Sequence, residues 1–152
     1  MPRTPILLDT QVWLWMNGAV ERLSEPARAI LAEGQQELYL SAASTWEIAI
    51  KHAAGRLKLP QPPARYIPST LAETDVKPLA IHQAHTWRAA ALPLHHRDPF
   101  DRMLIAQAQA EGMRLMTADS QLEYYEVPIL RANRQGKESG IRSQESGRMG
   151  KG

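Results

Sequence analysis

An α/β fold, with a short central parallel sheet of four to five strands and helices on both faces, is what this sequence predicts. Three observations carry the prediction. Apolar runs of strand length recur along the chain: "PILLD", "ELYLS", "TDVKPL", "MRLMTAD" and "VPIL". Longer helical segments separate them, and such alternation favours a parallel sheet covered on both sides. The first run, Ile6-Leu7-Leu8, contains no polar residue, as expected of a strand buried on both faces.

The elements follow in order. After "PILLD", "TQVWLWMNG" predicts a short helix closed by Asn17 and Gly18. "SEPARAILAEG" offers Ser24 as N-cap, Pro26 in the first turn and Gly34 as the stop. "ELYLS" is the second strand. In "AASTWEIAIKHAAGRL" the residues Trp46, Ile50, Ala53, Ala54 and Leu57 share one helical face. "LPQPPARYIPST" is broken by prolines and predicts a loop leading into a short helix. "TDVKPL" predicts a brief strand and "IHQAHTWRAAAL" a helix. "DPFDRMLIAQAQAEG" is the clearest helix, running from an acidic start to Gly112. "MRLMTAD" is a strand ending near Asp119, "SQLEYY" a helical turn, and "VPIL" a last strand at about 127–130. No internal repeat is present.

Composition narrows the function classes. A chain of 152 residues is most simply one domain, and 43% hydrophobic with 22% charged residues is ordinary for a globular protein. No apolar run approaches the roughly 18 to 20 residues of a membrane span. The absence of cysteine excludes disulfides and thiolate metal sites and fits a reducing cytoplasm. The N-terminus, with an Asp inside its apolar stretch, does not read as a secretory signal. The net charge of +2 hides an asymmetry. Residues 131–152 carry six Lys/Arg against two Glu, or +4, which leaves twelve against fourteen, or −2, for residues 1–130. A folded domain over 1–131 and a disordered basic Gly/Ser-rich tail over 132–152 are therefore expected. The tail is read as a solubilising end, with a basic arm for nucleic acid as the alternative.

Ligands of open parallel sheets gather at the carboxyl ends of the strands. Asp9 and Asp119 each follow an apolar run, so both are expected there. Each acid also has a local structural explanation. Asp9 can N-cap the next helix. Glu47 can close a capping box with Ser44 or pair with Lys51 one turn on. If the helix instead starts near Ser41, Glu47 is free to face the strand ends. Before the "SQLE" pattern Ser120 can cap, which leaves Asp119 over. Asp98 suffices as N-cap ahead of Pro99, so Asp101 needs another explanation. Four carboxylates at converging element ends repel one another, and a hard divalent cation relieves that repulsion.

The segments "ILLDTQVWLW", "SAASTWEIAIK", "HHRDPFDRMLIAQA" and "LMTAD" occur in the order and spacing of PIN-domain ribonucleases. The chain most resembles the VapC-type toxins of bacterial toxin–antitoxin pairs, over about residues 5–131. That resemblance implies a Mg²⁺- or Mn²⁺-dependent endoribonuclease, a homodimer, an RNA substrate leaving 5′-phosphate and 3′-hydroxyl ends, and an antitoxin partner. Matched position by position, Asp9, Glu47, Asp101 and Asp119 form the family's acidic quartet, both catalytic and metal-holding. Thr10 and Thr117 stand beside it as supporting residues, with Thr117 placed to orient a carboxylate or a coordinated water. The tail lies outside the pattern.

His95, His96, Arg97 and Arg102 are expected on the rim of the acidic pocket, touching RNA phosphates. A zinc site drawn from His82, His85, His95, His96 and Asp98 lacks a tight motif. Trp13, Trp15, Trp46 and Trp87 are expected in the core or at a dimer contact, with base stacking the lesser use. Two rival functions come from other classes. One is a catalytically silent RNA- or protein-binding module of the same fold, against which stand four mutually repelling acids. The other is a phosphotransferase with Asp9 as nucleophile, but "LLDTQ" puts Gln11 where such enzymes usually carry a second Asp.

Overall fold

The computed structural model describes residues 4–133. Five strands, β1 (Ile6–Leu8), β2 (Leu38–Ser41), β3 (Val76–Leu79), β4 (Arg114–Thr117) and β5 (Ile129–Arg131), form one sheet in the order β3-β2-β1-β4-β5. Every neighbouring pair is parallel, with Ile6 beside both Leu38 and Arg114 in the central register. The chain builds outward from β1 to β3, then crosses over to place β4 on the other flank of β1. The sheet therefore reverses direction of growth between β1 and β4, the point where parallel sheets open a crevice for ligands.

Side-chain alternation along β1 divides the core in two. Ile6 and Leu8 join Val12, Trp13, Leu40, Ile48 and Met116 on one face. Leu7 points the other way, into Leu104, Ile105, Leu115 and Leu122. All three β1 side chains are fully buried; each contributes roughly 2 kcal/mol by leaving water. The first face is covered by α1 (Thr10–Met16), α2 (Glu25–Ala32), α3 (Ala42–Ala53) and α4 (Pro63–Thr74), and the second by α6 (Pro99–Glu111), against which α5 (Gln83–Ala91) packs. Short 3₁₀ turns at Val20–Arg22 and Ser120–Tyr124 complete the described chain. Among the described residues no helix is long and apolar enough to cross a membrane.

Three details differ from the sequence-based expectation. The proline-rich stretch is a loop leading into a helix, as expected, but that helix, α4, runs to twelve residues rather than being short. Pro63 sits in its first turn, where the missing N–H is harmless, and Pro68 lies on the exposed side. On α3 the face shared by Trp46 and Ile50 turns outward, at 63% and 40% exposure, while Ala43, Ser44 and Ile48 enter the core. Small residues let this helix lie close to the sheet, so its bulkier face is the free one. At the end of β5, chain order continues past the expected boundary at 131. Ala132 is buried, donates its N–H to Thr117 O and accepts from Ser24 N, and Asn133 bridges to Leu23. The rest of the expected tail, from residue 134, lies outside the described residues.

Candidate active site

The carboxyl ends of β1 and β4 bring Asp9 and Asp119 to the crevice, and helix N-termini bring the remaining acids. Asp9 is the N-cap of α1, its Oδ1 accepting Val12 N–H at 2.8 Å. Its Oδ2 accepts the Thr117 hydroxyl at 2.5 Å, and the same hydroxyl oxygen accepts Asp119 N–H at 3.0 Å. Thr117 thus couples the two strand ends. Asp119 is itself the N-cap of the following 3₁₀ turn, through Gln121 N–H. This corrects the expectation that Ser120 caps and leaves Asp119 over. Only one of its oxygens is used in capping, and Oδ2 remains directed at the site.

The start of α6 resolves the two neighbouring aspartates. Asp98 is the N-cap, its Oδ1 accepting from Phe100 N at 2.8 Å and Asp101 N at 3.3 Å. Asp101, one turn further, leaves the cap and points its Oδ2 towards Asp119. At the other end, Gly112 adopts φ +68° and closes the helix in a left-handed turn that a side chain would strain. Glu47 reaches the same cleft because Ser41, not Ser44, caps α3. Glu47 is therefore in the second turn rather than a capping box. Thr10 donates to its Oε1 at 2.7 Å and Lys51 to its Oε2 at 2.8 Å, while Ser44 Oγ lies 2.8 Å from the Thr10 hydroxyl.

A cleft of about 500 Å³ is lined by all four acids together with Thr10 and Asp98. Lys51 also lines it. The Glu47–Lys51 pair expected from their i,i+4 spacing is present, but the sequence does not mark it as part of the cleft; Ser44 is not the cap and instead meets Thr10.

Burial and mutual repulsion dominate the electrostatics. Asp9 is pushed up to about 7, first by burial and then by the charges of Asp101 and Asp119, against the pull of its Thr117 and Val12 hydrogen bonds. Burial also raises Asp101, aided by Asp98 and Asp119 and opposed by His96. His96 lies between two of these acids, its Nε2 2.9 Å from Asp119 Oδ2 and 3.1 Å from Asp101 Oδ2. Its hydrogen bond to Asp101, with that to Asp119, holds the imidazole up at about 9 against its desolvation. The Asp98 N–H, directed at Nδ1 from 3.1 Å, favours the neutral form carrying its proton on Nε2 and so works against full charge.

Of the four expected rim residues, Arg97 and His95 are exposed, and His95 packs its ring against Tyr124 and Tyr125. His96 is inside the cluster rather than on the rim. Arg102 is a correction. Its guanidinium is buried and donates to the carbonyls of Ala89, Ala90, Leu92, Pro93 and His96, so it ties off the end of α5 and the following loop instead of facing a phosphate. The histidine-based zinc set does not assemble: His85 Nδ1 accepts His82 N–H and its Nε2 meets Glu111. Trp13 is fully buried and Trp15 half-buried, whereas Trp46 and Trp87 are exposed.

The donor set fits a hard divalent cation. Asp101 Oδ2 and Asp119 Oδ2 converge on one point, where His96 Nε2 also lies within 4.8 Å of both, and Asp9 adds a third carboxylate to the same cleft. An all-oxygen acidic site beside a helix start and two strand ends is suited to holding such an ion and, through it, a phosphate.

A parallel α/β domain with acids gathered at its topological switch point is the arrangement of the PIN domain, whose family model matches residues 6–128. The chain belongs to that family. It is 33% identical over 126 residues to Ribonuclease VapC22 of Mycobacterium tuberculosis (strain ATCC 25618 / H37Rv), covering 82% of this chain and 95% of that protein. A shorter match, 42% identical over 59 residues, relates it to Ribonuclease VapC16 of the same organism and spans 39% of this chain and 42% of that one. A toxin–antitoxin complex from Klebsiella pneumoniae contains the same fold, with a TM-score of 0.57 at 16% identity over 82% of this chain and 95% of that one.

Proposed function

We propose that this chain is a Mg²⁺- or Mn²⁺-dependent endoribonuclease acting as the toxin of a toxin–antitoxin pair. The observation that carries the reading is the convergence of Asp9, Glu47, Asp101 and Asp119 on one cleft at the β1/β4 switch point. The ribonuclease names of VapC22 and VapC16 support it. Asp101 and Asp119 would hold the cation, with Asp9 and Glu47 lining the same cleft. When bound, the ion supplies Lewis-acid stabilisation of phosphate oxygens and acidifies water.

The chain's own groups do the rest. Thr117, between Asp9 and Asp119, fixes both carboxylates in orientation. Glu47, which lines the cleft outside the Asp101–Asp119 cluster and is held by Thr10 and Lys51, would receive the proton that the attacking water loses. Lys51 exchanges its Glu47 partner for a non-bridging phosphate oxygen and positions the RNA backbone. Arg97 and His95, exposed on the loop that leads into Asp98, would extend that backbone contact.

The partner is an antitoxin that inserts a cationic side chain among the acids and competes with the metal. The Klebsiella toxin–antitoxin complex supports an antitoxin partner, and the acidic cleft its cationic side chain. Loss of Mn²⁺ binding when a cognate antitoxin is added checks the competition. The nuclease reading itself is tested with mixed RNA. Cleavage is expected in Mg²⁺ or Mn²⁺ and not in EDTA, and full activity of a metal-free preparation would end it. RNA binding without cleavage in either metal would favour the silent module.

A further inference from the structure

His96 has no place in the acidic quartet, yet it is the group that touches Asp101 and Asp119 together. We propose that His96 is a placeholder for the cation: its Nε2–H binds the same two carboxylate oxygens and must swing away before the metal can take them. The inference rests on the metal-dependent reading above and adds a residue that controls loading of the site.

The geometry excludes the simpler idea that His96 is itself a ligand in this pose. Asp98 N–H points at Nδ1, at 3.1 Å, and Nε2 meets two carboxylate oxygens at 2.9 and 3.1 Å. Whether the ring is neutral or charged, Nε2 carries a proton here, and a protonated nitrogen has no lone pair for a metal. A metal-bound histidine instead turns its second N–H to an acceptor. The Nδ1 of His96 faces a donor. The ring is therefore built to donate to the acids, not to join them.

The surroundings make the exchange local. The backbone at His96 is fixed on three sides: its N–H donates to Tyr125 Oη at 2.9 Å, its carbonyl accepts from Arg102, and the N–H of His95 also reaches Tyr125 Oη. The side chain retains partial exposure, at 15%, so rotation about χ1 and χ2 takes the imidazole towards solvent without moving the loop. Before metal arrives, the imidazole offsets the repulsion between Asp101 and Asp119 and keeps their oxygens convergent. The cost is competition for those oxygens.

The test uses the full chain, stripped of metal, and two probes, Mn²⁺ and Mg²⁺ alone. Calorimetric titration should show His96→Ala binding Mn²⁺ about tenfold more tightly than the wild type, the scale of one charge-assisted hydrogen bond no longer to be broken. His96→Gln, which keeps a donor, should fall between. In ¹⁵N NMR of the wild type, saturating Mg²⁺ should move the His96 Nε2 signal to that of a solvated imidazole. Equal or weaker Mn²⁺ binding by His96→Ala, or an unmoved Nε2 signal while the Asp119 amide reports bound Mg²⁺, overturns the placeholder and leaves the metal reading standing. Failure of the wild type and both variants to bind either ion overturns both. If His96→Ala does not fold, the wild-type NMR titration decides alone.

Discussion

Replacing Asp98 by alanine removes the acceptor for Phe100 N–H and Asp101 N–H at the start of α6. The expected loss is about 1 kcal/mol of stability, the usual worth of an N-cap, with much of the RNA cleavage retained. Asp101→Asn should do the opposite, ending cleavage while leaving the melting temperature level or raised, because it relieves repulsion within the cluster. Paired melting and cleavage assays on the two variants decide, and reversed outcomes would mean the acids exchange roles. Protons give a second expectation at this scale. Asp9 stands at about 7 in the fold, against about 3.9 in the unfolded chain. The folded chain thus holds a proton that the unfolded chain has released, and stability falls as pH rises through that window. His96, held up at about 9, contributes stability that is fully present below an unfolded value of about 6.5 and lost as pH rises through its folded value. Both groups act in the same direction. Chelator-treated protein should therefore melt progressively lower from about pH 5 towards about pH 9, and added Mg²⁺ should raise the melting temperature more at the alkaline end, where it displaces fewer protons. A melting temperature that rises across that range in EDTA would contradict this account of the cluster.

On the scale of the element, α3 leaves Trp46 and Ile50 exposed one turn apart, with Phe100 edge-on to Trp46 at 5.5 Å between ring centroids. Exposed aromatic and aliphatic groups on one helix face suit a contact with a second copy. On the homodimer that the family resemblance implies, changing both Trp46 and Ile50 to serine should give a monomer in sedimentation, and far-ultraviolet circular dichroism should stay unchanged. A dimer that persists in the double variant would put the contact elsewhere. The same helix shows what could be read from sequence and what could not. Its start was left open between Ser41 and Ser44, because each serine is a competent cap locally, and only the position of β2 selects Ser41. Its apolar period was legible, but period alone does not say which of two apolar faces meets the sheet; Ala43 and Ile48 win by size and fit. By contrast, α6 was legible from end to end, since Asp98, Pro99 and Gly112 are local signals that act without tertiary help. The four acids could be found because strand ends and helix starts are marked in sequence. The bridging position of His96 and the burial of Arg102 could not, as both depend on how the loop after α5 folds against Tyr125 and α6. The helix over Pro63–Thr74 is longer than the short one the sequence predicts, because proline reads as a breaker, although Pro62 and Pro63 precede or occupy its first turn.

At the scale of the molecule, charge is divided between a slightly acidic residue range 1–130 and a basic C-terminal stretch. Removal of residues 134–152 should leave the melting temperature nearly unchanged, because the composition of that stretch offers little apolar surface. RNA binding should weaken slightly and lose part of its salt dependence, as fewer cations meet phosphates. Cutting two residues earlier should be worse, since Ala132 is buried and bonded to Ser24 and Thr117. A large drop in melting temperature on removing 134–152 alone would show that the stretch packs onto the domain. The capping work of the site acids has a genetic consequence. Asp9 and Asp119 each give one oxygen to a helix start, while the other accepts from Thr117 in Asp9 and meets His96 in Asp119. Asparagine keeps an acceptor oxygen for the cap and removes the charge, whereas alanine or valine removes both. On the toxin reading, inactivating alleles at these positions are therefore unequal. An asparagine allele yields an inert but folded chain that keeps three of the four acids for the antitoxin's cationic side chain. It still draws antitoxin away from active copies in the same cell, while an alanine allele yields a weakened fold that sequesters less.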